Sequence, residues 1–448
     1  MSAQDKKPEP WSSGATAPIT QALHAGETIT VTFWARSAAP TSLKALLLPS
    51  ASPNSALAQA DIQLDPQWHS FTLRAVGKVD AAPFSHVVAL HLGQAGTEVR
   101  LGPIVTVAGD LPDGAVEAKI RTYGRDRVTG HLSIPAPDGL RLAATLRTPV
   151  GHGPFPAVVI IGGSGPGKRG GFAALNDRLL AAGFATLEYD KRGWGQSGGK
   201  AIDDVAVHIE DARAVVRFLG KQPKIDRARI GLVGASQGGM VAAATAVKEP
   251  SVKAIVMLAG PALPSRAILI DQITHQLRDP AGSGAKIRKQ RLFMEDILDI
   301  ISAEPDASKR QPKIRERVVQ AAREDLFPNE AIDMMVAGLS DPALALNLAY
   351  RPAEMLARIH VPVLALYAQR DILVSPAENM EAARKALRGN RDATFIELAG
   401  VNHMFQLART GSAEEWLTLG PTHTAPEMVR IVPLWLRRHL GAKRPGDR

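Results

Sequence analysis

Three residues of 448 stand in the order and setting that acyl transfer to water requires: Ser236, Asp371 and His403. A serine hydroxyl is a weak nucleophile at neutral pH, so it needs a base, and the base needs a carboxylate to orient it. Ser236 lies within Gly234-Ala235-Ser236-Gln237-Gly238, between the apolar run RIGLVGA and the small-residue stretch GGMVAAATAVKE. Flanking glycines suit a sharp strand-to-helix turn that holds the serine in a strained backbone conformation while other chain segments pass close by. Asp371 ends VPVLALYAQRD, and His403 follows the next apolar run, ATFIELAG, in the loop VNHMF. The competing readings are a turn or helix-cap aspartate and a surface histidine. His275 and His423 lack a comparable setting at the end of a strand. When a serine attacks a carbonyl the oxygen becomes anionic and must be met by fixed N–H donors, and Gln237, directly after the nucleophile, is placed to supply one.

A second stretch, AVVIIGGSGPGKRGGF, satisfies G-x-x-x-x-G-K from Gly162 to Lys168, most of a phosphate-binding loop. A true phosphate loop follows its lysine with Ser or Thr to hold Mg²⁺. Arg169 stands there instead. With a complete Ser, Asp and His set at three strand ends as well, nucleotide binding is not the expected role of this loop, and Lys168 and Arg169 read as rim residues.

Positioning these groups falls to buried strands alternating with helices. AVVIIGG, ATLEYDKRG, RIGLVGAS, VKAIVMLAG, PVLALYAQRD and TFIELAG are short, nearly continuous apolar runs, as in strands covered on both faces. AALNDRLLAAG, DDVAVHIEDARAVVRFLGKQ and GGMVAAATAVKE fit helices between them, giving a doubly wound, mostly parallel α/β sheet. HLSIPAPDGLRLAATLRTPVG adds two strands around an Asp-Gly turn. Between Leu263 and Leu356 the alternation stops, and charged segments with apolar residues at three-and-four spacing predict a helical insert acting as a lid. A last amphipathic helix, APEMVRIVPLWLRRHLG, closes the domain.

From about His131 to Gly441 the chain resembles the α/β-hydrolases, and in particular bacterial carboxylesterases with an H-G-S-G-P loop, a D-x-R-G-x-G-x-S segment and a terminal N-H-x-F. Here these read Gly162-Gly163-Ser164-Gly165-Pro166, DKRGWGQS from Asp190 to Ser197, and Asn402-His403-Met404-Phe405, with Tyr350-Arg351-Pro352 before the strand that bears the acid. The resemblance implies an acyl-enzyme on Ser236, a second oxyanion donor at Ser164, bracing of the site loops by Asp190 and Arg192, and no metal or organic cofactor. Two positions depart from the pattern: Gly162 replaces the loop histidine, and Ala368 replaces the glycine three residues before the acid.

Residues 1–125 have another texture. In ETITVTFWAR, Ile29, Val31, Phe33 and Ala35 alternate with Thr28, Thr30, Thr32, Trp34 and Arg36, a strand with one buried face. LKALLLPS, QWHSFTLRAV, SHVVALHLG and EVRLGPIVTVAG continue as strands between turns, predicting an antiparallel β-sandwich ahead of a catalytic domain at 126–448. The sandwich resembles the jelly-roll, carbohydrate-binding-like modules fused to hydrolases. Trp34 then either stacks on a sugar ring or, with Trp68, simply covers the sandwich.

Composition narrows the remaining options. Cysteine is absent, which excludes disulfides, thiolate catalysis and cysteine-bound zinc. The formal charge of +9 is spread among acidic residues instead of forming runs, so nucleic acid is not an expected partner. No apolar run reaches the roughly 18 residues of a membrane span. MSAQDKKPEP lacks the apolar segment of a signal peptide, so the chain as written reads as cytoplasmic, or as exported if a signal preceded Met1. The expected substrate is a small or glycan-linked ester. Alternatives are an acyl-CoA thioesterase, for which Arg288, Lys289 and Arg291 are the obvious basic cluster, a serine peptidase, and a polysaccharide-binding protein with accessory deacetylase activity.

Overall fold

A computed structural model describes residues 2–3, 9, 14–19, 23–49, 55–81, 85–93, 95–117, 127–276, 284–419 and 423–441. The middle of the connector read between 110 and 130 therefore lies outside the described residues, as does the side chain of His275. Chain contacts divide the molecule into two compact units, Met1–Asp126 and Arg127–Arg448.

In the first unit, β1 (Ser2–Ala3), β2 (Gly14–Pro18), β3 (Thr28–Ser37), β4 (Thr41–Pro49), β5 (Ala58–Leu64), β6 (His69–Val76), β7 (His86–His91) and β8 (Thr97–Ala108) form two four-stranded sheets, ordered β1-β8-β3-β6 and β2-β7-β4-β5. Ile29, Val31, Phe33 and Ala35 share one core with Leu43, Ala45, Leu47, Val88 and Leu90. The other face of β3 departs from the simple alternation, since Thr30 and Thr32 are buried as well. The segment after β8 crosses that face: Thr30 Oγ1 donates to the Gly109 carbonyl at 2.7 Å and accepts from Leu111 N–H at 3.1 Å. Arg74 from β6 secures the same segment through the Leu111 carbonyl and Asp113. Threonine suits both demands, being β-branched for the strand and able to satisfy buried backbone groups.

The second unit holds an eight-stranded sheet. Its strands are β9 (Arg127–Pro135), β10 (Arg141–Pro149), β11 (Phe155–Ile161), β12 (Ala185–Tyr189), β13 (Ile225–Ala235), β14 (Val252–Leu258), β15 (Val363–Ala368) and β16 (Ala393–Leu398), in the order β16-β15-β14-β13-β11-β12-β10-β9. β9 and β10 form an antiparallel hairpin against the edge of β12, and the other strands run parallel. Alternate residues of each buried strand feed opposite faces. Ala157, Val159, Ile161, Leu232 and Met257 pack with α2 (Val205–Leu219) and α3 (Gln237–Lys248). Val158, Ile160, Val233, Val256 and Leu364 pack with α1 (Ala173–Ala181) and with the closing helix Pro426–Leu440. Chain order reverses at β11, which is flanked by β12 on one side and β13 on the other. In open α/β sheets the crevice at the carboxyl ends of such strands is where ligands bind.

Between β14 and β15 lie α4 (Ser265–Gln276), α5 (Gly284–Ala303), α6 (Ala307–Arg323), α7 (Ile332–Leu339), α8 (Pro342–Leu348) and α9 (Pro352–Leu356). α4 to α8 close a small core of their own around Phe293, Ile297, Ile301, Ile314 and Val318, while Leu356 of α9 joins the core of the sheet. Arg310 of α6 is fully buried and donates to the carbonyls of Pro305, Ser340 and Asp341, tying α6 to the turn between α7 and α8. After β15 follow α10 (Pro376–Ala386), α11 (Ala413–Leu419) and the closing helix, α12 (Pro426–Leu440). Among the described residues no single helix is long and apolar enough to cross a membrane.

Candidate active site

Ser236 caps the N-terminus of α3 directly after β13, with φ 52° and ψ −123°. A non-glycine residue at positive φ is strained, and such strain persists only where the surroundings enforce it. Here Ser236 N–H donates to the Leu258 carbonyl of β14 at 2.8 Å, and its own carbonyl accepts from Gly239. The flanking glycines are required by close approach. A Cβ on Gly234 would lie 2.0 Å from the Gly238 carbonyl oxygen, and one on Gly238 would lie 2.4 Å from that of Ile161. The G-x-S-x-G spacing thus lets α3 start against the ends of β11 and β13.

The loop after β11 lies against the serine. A Cβ on Gly163 would sit 3.2 Å from Ser236 Cβ and 3.8 Å from its Oγ. The Ser164 side chain is exposed.

Asp371 and His403 form a buried pair, with Asp371 Oδ2 2.7 Å from His403 Nδ1. β15 ends at Ala368, earlier than the sequence pattern predicts, and Asp371 occupies the turn beyond it. Its other oxygen, Oδ1, accepts from the N–H groups of Leu373 and Val374, both at 2.8 Å, which builds the turn and fixes the carboxylate plane. A carboxylate can only accept, so the proton between the pair belongs to Nδ1 and Nε2 is left as the basic nitrogen. Asn402 shapes the loop presenting the imidazole: its Oδ1 accepts from Met404 and Gln406 N–H, each at 3.0 Å. Phe405, at φ 54°, drops into the core beneath. The indole of Trp416 on α11 stands 6.3 Å from the imidazole, centroid to centroid.

Asp190 and Arg192 brace loops, as the sequence pattern implies. Asp190 accepts from the N–H groups of Arg169 and Gln196, and Arg192 bridges Asp211 and Asp138. Arg169 is not the rim residue expected of it. Its guanidinium pairs with Asp190 at 2.6 Å and contacts Gln196, because a buried carboxylate needs a neutralising partner. Lys168 is exposed. The residue that pattern reading missed is Lys191, the variable position of D-x-R-G, whose side chain is buried beneath the loop after β11. The available signal was a lysine two residues beyond a strand buried on both faces, where a charge has little exposed space to reach. Among the described residues, no group of three or more His, Asp or Glu is arranged to hold a metal ion.

Comparison with known proteins places this geometry in context. Residues 154–407 match the model of the Hydrolase_4 family, described as serine aminopeptidase, S33. Esterase EstD of Thermotoga maritima is 26% identical over 305 residues, covering 66% of this chain and 65% of that protein. The mouse peroxisomal succinyl-coenzyme A thioesterase is 30% identical over 205 residues, 44% of this chain and 45% of that protein. Among solved structures, the Pyrococcus furiosus esterase Pf2001 aligns with a TM-score of 0.45 at 16% identity, covering 72% of this chain and 95% of the esterase. Est1E of Butyrivibrio proteoclasticus with bound ferulic acid aligns at 0.43 and 17%, covering 69% and 99%.

Proposed function

The chain belongs to the Hydrolase_4 family of α/β-hydrolases, and from that premise we propose that it hydrolyses carboxylic esters through Ser236, His403 and Asp371. The observation that carries the reading is the strained Ser236 at the β13–α3 turn, with the buried Asp371–His403 pair on the same carboxyl edge of the sheet. In the proposed cycle His403 Nε2 takes the Ser236 proton as Oγ attacks the ester carbonyl. The N–H groups of Gln237 and Ser164 meet the oxyanion. Collapse of the tetrahedral intermediate breaks the bond to the alkoxy oxygen, which leaves with the proton returned by His403. Water, deprotonated by the same nitrogen, then attacks the acyl-enzyme and releases the acid.

The helical insert is proposed as a lid. Two contacts support this, one at each flank of the site. Gln272 of α4 donates to the Leu373 carbonyl in the Asp371 turn at 3.1 Å. Asn347 of α8 donates to the Asp203 carbonyl at 2.6 Å and accepts from Val205 N–H at 3.1 Å.

In the first unit a jelly-roll-like carbohydrate contact is proposed at Trp68. Trp34, the candidate named from the sequence, is half-buried, whereas Trp68 is 48% exposed with the Arg36 guanidinium 5.2 Å from its ring centre, and Gly102 packs closely against both tryptophans. Loss of glycan retention by the full chain on Trp68→Ala is the expected result.

Labelling with a fluorophosphonate, followed by a screen of p-nitrophenyl esters, p-nitroanilides and acyl-CoA thioesters, tests the assignment. The expected outcome is labelling and ester turnover that Ser236→Ala abolishes without loss of fold. Anilide or thioester turnover exceeding ester turnover would replace the ester reading by a peptidase or thioesterase. Wild-type activity in Ser236→Ala would remove the nucleophile.

A further inference from the structure

Lys191 is 4% exposed, in a position where burial pushes an ammonium below its ordinary pKa while Asp203 works the other way. Burying a charge is costly unless it is paired and hydrogen-bonded, so its partners report what it is there to hold. Nζ lies 2.9 Å from Asp203 Oδ1, 3.1 Å from the Gly163 carbonyl oxygen, 3.4 Å from Gln237 Oε1 and 3.5 Å from the Gly165 carbonyl oxygen. Two of these acceptors are backbone carbonyls of the loop against Ser236, and a third is the side chain of the residue following the nucleophile. Asp203 grips the same loop from its other oxygen, accepting from Gly165 N–H at 3.2 Å.

The loop is shaped to admit this side chain. A Cβ on Gly167 would lie 2.1 Å from Lys191 Cδ and 2.4 Å from its Cγ, so the second glycine of G-x-x-x-x-G-K is open space filled by the lysine stem. Lys191 N–H also donates to the Gly167 carbonyl at 2.7 Å. The phosphate-loop likeness has a physical reason of a different kind: its glycines wrap a buried lysine.

We propose that Lys191 is the positioning residue of the oxyanion loop, holding the Gly163–Ser164 peptide so that the Ser164 N–H faces the reacting carbonyl. The inference rests on the serine-hydrolase reading above. Its geometry follows from the planar trans peptide, in which C=O and N–H point in opposite directions. With the Gly163 carbonyl drawn onto Lys191 and Gly163 seated beside Ser236, the Ser164 N–H is turned away from the lysine. Preorganised donors of this kind act chiefly on the transition state.

Lys191→Met keeps the stem and removes the donors. It is expected to lower kcat for an ester about 10- to 100-fold, less than the roughly 100- to 1,000-fold of deleting an oxyanion donor outright, with little change in KM. A trifluoromethyl ketone, which forms a tetrahedral oxyanion on serine, should lose affinity by a similar factor. Lys191→Arg, retaining charge and donors, should recover part of kcat. Gly167→Ala displaces the lysine stem without deleting a donor and is expected to lower kcat in the same way, so the proposal stays testable if Lys191→Met does not fold. Wild-type kcat in folded Lys191→Met or Gly167→Ala, or a loss confined to KM, overturns the role of Lys191 alone. Failure of the wild type to react with the fluorophosphonate overturns the parent reading and this one with it.

Discussion

Asp371 divides its two oxygens between two tasks. Oδ1 closes its own turn through Leu373 and Val374, while Oδ2 holds the His403 tautomer. The two tasks can be separated by substitution. In Asp371→Asn the side-chain oxygen can still accept the two N–H groups, but the amide presents a donor to Nδ1 and forces the opposite tautomer. Ester kcat is therefore expected to fall about 10,000-fold, the size of the wrong-tautomer effect in serine proteases, with the melting temperature nearly unchanged. A parallel collapse of both quantities would mean that the aspartate is structural first.

Elements come into register through a few polar side chains at their ends. α8 is only seven residues long, too short to be stable by itself, so its place depends on tertiary partners: Leu344 and Leu348 pack on the core of the insert, and Asn347 clasps the backbone of Asp203 and Val205. Asn347→Ala leaves that carbonyl and N–H without their partner. The expected effect is about 1–3 kcal/mol of local destabilisation, visible as faster hydrogen exchange at 203–205 and 342–348 and not elsewhere. On the opposite flank, Glu415 in the first turn of α11 organises the loop before it. Partial burial opposes ionisation, but the N–H groups of Arg409, Thr410 and Gly411 and the Thr410 hydroxyl prevail and hold the carboxyl at about 2. A carboxyl lowered on folding adds stability above its unfolded value of roughly 4.3, and loses it as pH falls through the folded value. Glu415→Gln should thus melt lower than wild type at pH 7, and the gap should narrow between about pH 4 and pH 2. A gap independent of pH would show that the ionised carboxylate is not what orders the loop.

Each of the two compact units closes a core of its own. Ile29, Phe33, Leu47 and Leu90 belong to one, and the two faces of the eight-stranded sheet belong to the other. Every strand that carries a candidate catalytic residue lies in the second unit. A fragment comprising residues 127–448 is accordingly expected to unfold cooperatively and to react with a fluorophosphonate at the rate of the full chain, as followed by circular dichroism and gel fluorescence. Loss of reactivity in a folded fragment would give the first unit a share in the site.

The strands buried on both faces were legible because period-free apolar runs such as AVVII have one physical use in a chain with intervening helices. The G-x-S-x-G turn was legible because backbone crowding of this kind tolerates no side chain. β5, AQADIQL, was not: among the described residues it is an edge strand paired to β4, and its alanines and polar residues lack strand preference. Thr30 and Thr32 read as solvent-facing because alternation says nothing about a later segment folding over the second face. Residue type and spacing alone singled out Ser236, Asp371 and His403 as candidates, since nucleophile, acid and base must each follow a strand. Tertiary structure alone decided that Arg169 serves Asp190 and that Lys191 lies under the loop after β11. A charge acquires its role from the partners that burial leaves it, and those partners come from segments distant in sequence.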